Sequence, residues 1–219
     1  ITHMVEKSFE LSEASNAPVI MELRIRACHV RGSFKTKDNV APKISARELQ
    51  QEPAEFLYSR LAHPPVTYGH EKLKYEVRMP AARKFIVDNK LNEIFDGQHR
   101  DVGIIVQGGL YNGLIRAFQE LGLADAFGRT DVPILALNVV YPLVPDEISN
   151  FAAGKKAVLV LEEGQPEFIE HEIGTILRRA DINTKIMGKD ILPMSGEYNS
   201  EAILGGLTKF ARVYLPGFA

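Results

Sequence analysis

The chain of 219 residues has one cysteine, Cys28. A single thiol excludes an intrachain disulfide. It also excludes an iron–sulfur cluster held by this chain alone, because such clusters take about four thiolates. One cysteine suits a reducing compartment, and a cytoplasmic location is expected. No apolar run approaches the roughly 20 residues of a membrane span, so no membrane partner is expected. The start, Ile1-Thr2-His3-Met4, has no basic region followed by an apolar run, so it does not read as a secretory signal. A start at Ile reads as a cut or processed end. Charge of one sign is lacking too. The net charge is −2, from 26 Lys and Arg against 28 Asp and Glu. That excludes a broadly basic nucleic-acid binder and a polyacidic tail.

Several catalytic signatures are missing. The run Gly108-Gly109-Leu110-Tyr111-Asn112-Gly113 does not meet the dinucleotide fingerprint, and there is no P-loop. No G-x-S-x-G elbow occurs. The histidines (His3, His29, His63, His70, His99, His171) form no H-E-x-x-H and no metal spacing with the cysteine.

What is present is an ordinary globular balance, 45% hydrophobic and 25% charged. The charge steps along the chain. Residues 1–100 carry 16 basic and 13 acidic side chains, and residues 101–219 carry 10 and 15. Val5 to Ser15 reads as a helix with Val5, Phe9 and Leu11 on one face, broken by Asn16-Ala17-Pro18. Val19 to Ile25 reads as a strand in which Met21, Leu23 and Ile25 alternate with Glu22 and Arg24. One helix and one strand make no domain, so residues 1–30 read as the last unit of another domain.

Residues 31–100 read as a linker with helices. Ser45 to Gln51 carries a capping-box pattern, with Ser45 as N-cap and Glu48 three residues on. His70 to Phe95 is rich in helix formers, with Leu73, Val77, Phe85, Ile86 and Ile94 spaced for a buried stripe. Pro80 either kinks that helix or opens a second one.

From Asp101 the pattern alternates. Apolar strands are expected at Val102–Val106, Pro133–Val140, Lys156–Leu161 and Lys185–Met187. Helices are expected at Leu110–Leu121, Pro145–Ala153, Pro166–Arg179 and Ser200–Phe210. Such alternation implies an α/β domain over 101–219, with a largely parallel sheet covered on both faces.

The candidates for chemistry cluster at strand ends. Gly108-Gly109 between a strand and a helix is a layout that cradles phosphate, or a tight turn that packs the helix closely. Glu162-Glu163 lies past the carboxyl end of the third strand, the edge where α/β sheets bind ligands. These carboxylates suit a metal, an acid/base pair or a solvated turn. Glu167 and His171, four apart with Glu170 beside them, read as a solvated helix face. Arg26, His29 and Arg31 follow the early strand. They suit a substrate carboxylate, or interface packing between domains. Cys28 reads as inert.

Two regions resemble a known family. G-I-I-V-Q-G-G-L-Y-N (Gly103–Asn112), V-L-V-L-E-E-G-Q-P-E-F-I-E (Val158–Glu170) and G-K-D-I-L-P-M-S-G-E (Gly188–Glu197) resemble the large subunit of indolepyruvate:ferredoxin oxidoreductases, within the thiamine-dependent 2-oxoacid oxidoreductases. Phe9–Gly32 resembles the end of that family's pyrimidine-binding domain. The resemblance implies a three-layer α/β/α sandwich with a mainly parallel, mixed sheet of about five strands, similar to the C-terminal domain of transketolases.

It also implies a structural and interface module, inactive alone, with Arg26 and His29 at the edge of a substrate pocket. The parent enzyme would oxidatively decarboxylate an aromatic 2-oxo acid to an acyl-CoA and pass electrons to ferredoxin. Thiamine diphosphate, Mg and iron–sulfur clusters are expected in that parent. None is expected here, since the chain has no G-D-G and no N-N. Expected partners are the remaining domains of the enzyme, in a homodimer or hetero-oligomer, with no nucleic acid. The alternatives are a free-standing nucleotide- or CoA-binding module, and the equivalent domain of a transketolase or 2-oxoacid dehydrogenase.

Overall fold

Strands buried on both faces read as continuous apolar runs, and three such runs form the centre of the molecule. The computed structural model describes residues 1–29, 31–39, 56–215 and 217. Along the chain come α1 (Thr2–Ser15), the short α2 (Ile25–Cys28), α3 (Val66–Leu73), α4 (Met79–Asp88) and β1 (Glu93–Phe95). Then follow β2 (Val102–Gln107), α5 (Tyr111–Glu120), β3 (Ile134–Leu137), α6 (Pro145–Ala152), β4 (Ala157–Leu161), α7 (Phe168–Arg179), β5 (Lys185–Met187) and α8 (Ser200–Tyr214).

The strand order is β1-β3-β2-β4-β5. Four strands are parallel, and β1 lies antiparallel against β3. Alternation along each strand sorts its side chains to two cores. Val102, Ile104, Val106, Ile134, Leu159 and Leu161 meet Leu114, Phe118, Leu207 and Phe210 of α5 and α8. Ile105, Leu135, Leu137, Val158 and Val160 meet Ile148, Phe151, Ile173 and Leu177 of α6 and α7. The result is the expected three-layer α/β/α sandwich on a mixed five-stranded sheet.

Several expectations need correction. Glu93–Phe95 is an edge strand, not the end of a helix. Its pairing with β3 supplies ladder bonds that helix propensity cannot show. The sheet therefore draws on residues ahead of Asp101. The stripe over 70–95 is also partial. Ile86 is fully buried with Leu91 and Val144, and Phe85 packs beside them. Leu73, Val77 and Ile94 are about half exposed, because α3 lies on the surface and β1 on an edge.

Pro80 opens α4 within its first turn, after a π-helical turn at Lys74–Arg78. Val19–Arg24 is not a strand, and the chain turns helical at Ile25–Cys28. A strand needs a sheet edge to pair with. This segment instead meets the turns beyond β2 and β4 through Arg24, where no edge is offered.

The helix at 2–15 forms, and Asn16 ends it in the left-handed conformation, φ 47. It packs along α4 with Leu11 and Ser15 buried, and Lys7 Nζ donates to Asn89 Oδ1 at 3.1 Å. Phe9, expected on the inner face, is exposed. The capping box at Ser45–Gln51 lies outside the described residues.

Candidate functional site

The carboxyl ends of β2, β4 and β5 bring together the polar residues singled out in the sequence. Glu162 and Glu163 leave β4 on opposite sides of the sheet. Glu162 is 5% exposed. Its carboxylate accepts from the backbone N–H of Ile169 at 3.0 Å and of Glu170 at 3.0 Å. These are two of the unpaired donors at the start of α7, where a negative charge also complements the helix dipole. Glu162 is a helix cap.

Glu163 turns toward α8. Its Oε1 accepts from Arg24 Nη2 at 3.0 Å and from the backbone N–H of Tyr198 at 2.8 Å. Its own N–H donates to Gln107 Oε1 at the end of β2, at 2.9 Å. Arg24 Nη2 also reaches Glu197 Oε1 at 3.3 Å, and Nη1 donates to the Gly109 carbonyl at 3.4 Å. One guanidinium therefore spans three acceptors on three connections, those following β2, β4 and β5.

Gly108-Gly109 forms a 3-10 turn into α5. A side chain at Gly108 would overlap the Asn138 amide oxygen, and one at Gly109 would meet Arg24 Cδ at 3.2 Å. The turn is closely packed, which matches the tight-turn reading.

Past β5, Gly188 lies where any Cβ would overlap the Glu170 carboxylate. That carboxylate accepts from Lys189 N–H at 3.0 Å. Lys189 Nζ donates to Tyr198 OH at 2.8 Å and lies 4.7 Å from the centre of its ring. The Tyr198 hydroxyl donates to the Pro193 carbonyl at 2.6 Å. Burial pushes the Tyr198 phenol up to about 12, and the charges of Glu170, Glu162 and Glu163 add to it. Burial also lowers the Lys189 ammonium, opposed by the surrounding glutamates. The neutral phenol is thus favoured as a donor to Pro193.

The other candidates are dispersed. Glu167 and His171 form an i,i+4 pair at 3.5 Å at the start of α7; His171 is well exposed as expected, whereas Glu167 is half-buried and Glu170 turns to Lys189, so the face is solvated only in part. Arg26 lies in α2, and Cys28, His29 and Arg31 are exposed. Among the described residues no cluster of three or more His, Cys, Asp or Glu is placed to hold a metal. No helix of the described residues is long and apolar enough to cross a membrane.

Arg24 and Tyr198 were missed in the sequence. Arg24 falls on the polar side of an expected strand, where alternation names no partner for it. Tyr198 had no spacing partner, since Lys189 and Pro193 reach it through a loop.

The match with known proteins falls on this unit. A family described as the indolepyruvate ferredoxin oxidoreductase middle domain matches residues 91–201. The chain is 27% identical over 218 residues to the indolepyruvate oxidoreductase subunit IorA of Methanothermobacter thermautotrophicus, covering 95% of this chain and 32% of that protein. It is 25% identical over 221 residues to the subunit of the same name in Thermococcus kodakarensis, covering 97% and 32%. The chain thus spans about a third of the length of these curated relatives. Among solved structures, the 2-oxoglutarate:ferredoxin oxidoreductase of Magnetococcus marinus aligns with a TM-score of 0.42 at 17% identity, over 68% of this chain and 24% of that one.

Proposed function

The chain belongs to the indolepyruvate ferredoxin oxidoreductase middle-domain family, and from that premise we propose that it is the architectural module of an indolepyruvate:ferredoxin oxidoreductase. The observation that carries this reading is where the family match falls. It runs from just before β1 into the start of α8, over the whole sheet. The engaged state of the sheet's carboxyl edge supports it, since Glu162 caps a helix and Glu163 holds Arg24 and Tyr198.

The whole enzyme oxidatively decarboxylates an aromatic 2-oxo acid to an acyl-CoA in this proposal. Its electrons leave through iron–sulfur clusters to ferredoxin. Residues 1–30 end the preceding pyrimidine-binding domain, the stretch from residue 31 to just before β1 links, and the chain from β1 onward forms the transketolase C-terminal-like domain. The partners are the remaining domains and subunits of a cytoplasmic oligomer. Arg26 and His29, following Arg24, contribute a cation and a titratable ring to the rim of the substrate site.

The donor set here does not fit thiamine diphosphate with its metal. The two carboxylates at the sheet edge already serve backbone amides and a guanidinium, and the Gly108-Gly109 turn is covered by Arg24. No step is assigned to that cofactor on this chain.

Calorimetry tests the reading. Thiamine diphosphate with Mg²⁺ gives no binding heat on the 219-residue chain and binds the whole enzyme. In the whole enzyme, Arg26→Ala and His29→Ala raise KM for the 2-oxo acid more than they lower kcat. Micromolar binding of the cofactor by the chain alone would overturn the architectural role.

A further inference from the structure

We propose that Arg24 is the docking residue of the segment ahead of the sheet, and that Gly109, Glu163 and Glu197 form its receptor. The inference rests on the reading above in one respect: that segment leads from one domain to the next.

Four observations support it. The first is chemical fit. A guanidinium is a planar fork with five donors, and here it meets a carbonyl and two carboxylates. Nη2 serves both carboxylates and Nη1 the carbonyl, so a lysine, with one nitrogen, matches the carboxylates and leaves the carbonyl unserved. The second is that the receptor is set by the sheet. Tyr198 N–H fixes the Glu163 carboxylate and Gln107 fixes its backbone, so the acceptor stands in place whether or not Arg24 is bound.

The third is steric. Gly109 lies where the Arg24 stem passes, and a Cβ there would come within 3.2 Å of it. The fourth concerns what else holds the segment. Ile20 is 87% exposed and Ile25 78%, with Leu23 about half exposed. Burial of these apolar side chains does not fasten the segment and Met21 is only half-buried, so the polar contact of Arg24 is its main tie.

The consequence is positional. Arg24 immediately precedes α2, which holds Arg26 and ends just before His29. Seating Arg24 sets where both are carried, and releasing it frees them together.

Hydrogen exchange on the full 219-residue chain is the test. Exposed ion pairs are individually weak, so the expected effect is a rise of about fivefold in exchange. Arg24→Ala produces it at the Cys28 amide, which donates to the Arg24 carbonyl at 3.3 Å, while β2 and β4 amides stay protected. Glu197→Gln, on a loop outside the core, produces a smaller rise at the same amide. Arg24→Lys, which keeps the charge and loses the bond to the carbonyl, gives a rise between wild type and Arg24→Ala. Salt at about 0.5 M speeds exchange there in the wild type and not in Arg24→Ala, because screening acts on the pair.

Unchanged exchange in Arg24→Ala with the sheet protected overturns the proposal. So does wild-type behaviour of Arg24→Lys, which would reduce the receptor to a point-charge contact. Should Arg24→Ala unfold the sheet, Glu197→Gln decides alone: faster exchange at the Cys28 amide supports the docking, and none overturns it. The readout involves no turnover and no cofactor. Failure of the docking therefore leaves the enzyme reading standing, and the reverse holds as well.

Discussion

Glu162 and Glu163 are adjacent in the chain and do different work because a strand sends successive side chains to opposite faces. One goes to the α7 side and is buried on backbone amides, and the other goes to the α8 side and binds Arg24 and Tyr198. The pair E-E was legible as a feature of a strand end. Its division of labour was not, because it depends on which helix lies over each face. Tyr198 shows the same limit, with its phenol up to about 12 through burial and nearby carboxylates. The unfolded phenol titrates near pH 10. Because the folded value is the higher one, its stabilisation is present below about pH 10 and is lost as pH rises toward about 12. Urea unfolding between those values should show stability falling for the wild type, with a flatter slope for Tyr198→Phe. Equal slopes would mean that the phenol keeps no excess proton affinity in the fold.

At the scale of elements, α7 shows how a helix start is made without a side-chain cap from its own N-cap residue, Glu167. The donors of Ile169 and Glu170 are served by Glu162 at the end of β4, seven and eight residues back in the chain. Replacing Glu162 by Ala leaves buried donors unsatisfied and should cost about 1–3 kcal/mol. Glu162→Gln keeps an acceptor, loses the charge at the helix N-terminus and should cost about 1 kcal/mol. Chemical denaturation at neutral pH checks both, and an Ala variant as stable as wild type would show that water serves those amides equally well.

The central strands and four flanking helices were readable from periodicity, since apolar runs and 3.6-residue stripes are local signals. β1 and the Val19–Arg24 segment were not. Three residues of strand are recognised by their partner, and alternation alone does not supply one. Ile94 in β1 is as apolar as Ile20 in the segment. The difference is that Ile94 pairs with Leu135 of β3.

For the whole molecule, the two cores lie on either face of one sheet, and α4 joins through the smaller cluster of Ile86, Leu91 and Val144. α1 covers α4 from outside. A chain starting at residue 79 should therefore melt cooperatively, a few degrees below the full chain for the lost α1 packing. A broad, non-cooperative melt by circular dichroism would mean that the first 78 residues are part of the folding unit.

By itself the sequence determined the α/β class, the two-sided burial of the sheet and the family, because apolar periodicity and short motifs are properties of neighbouring residues. It also placed Gly108-Gly109 and Glu162-Glu163 at strand ends. Only the tertiary structure decided what those residues meet. Arg24 finds Gly109, Glu163 and Glu197 across 85, 139 and 173 positions of chain. A hydrogen bond needs its acceptor within about 3 Å, and no pattern in a linear sequence encodes that distance.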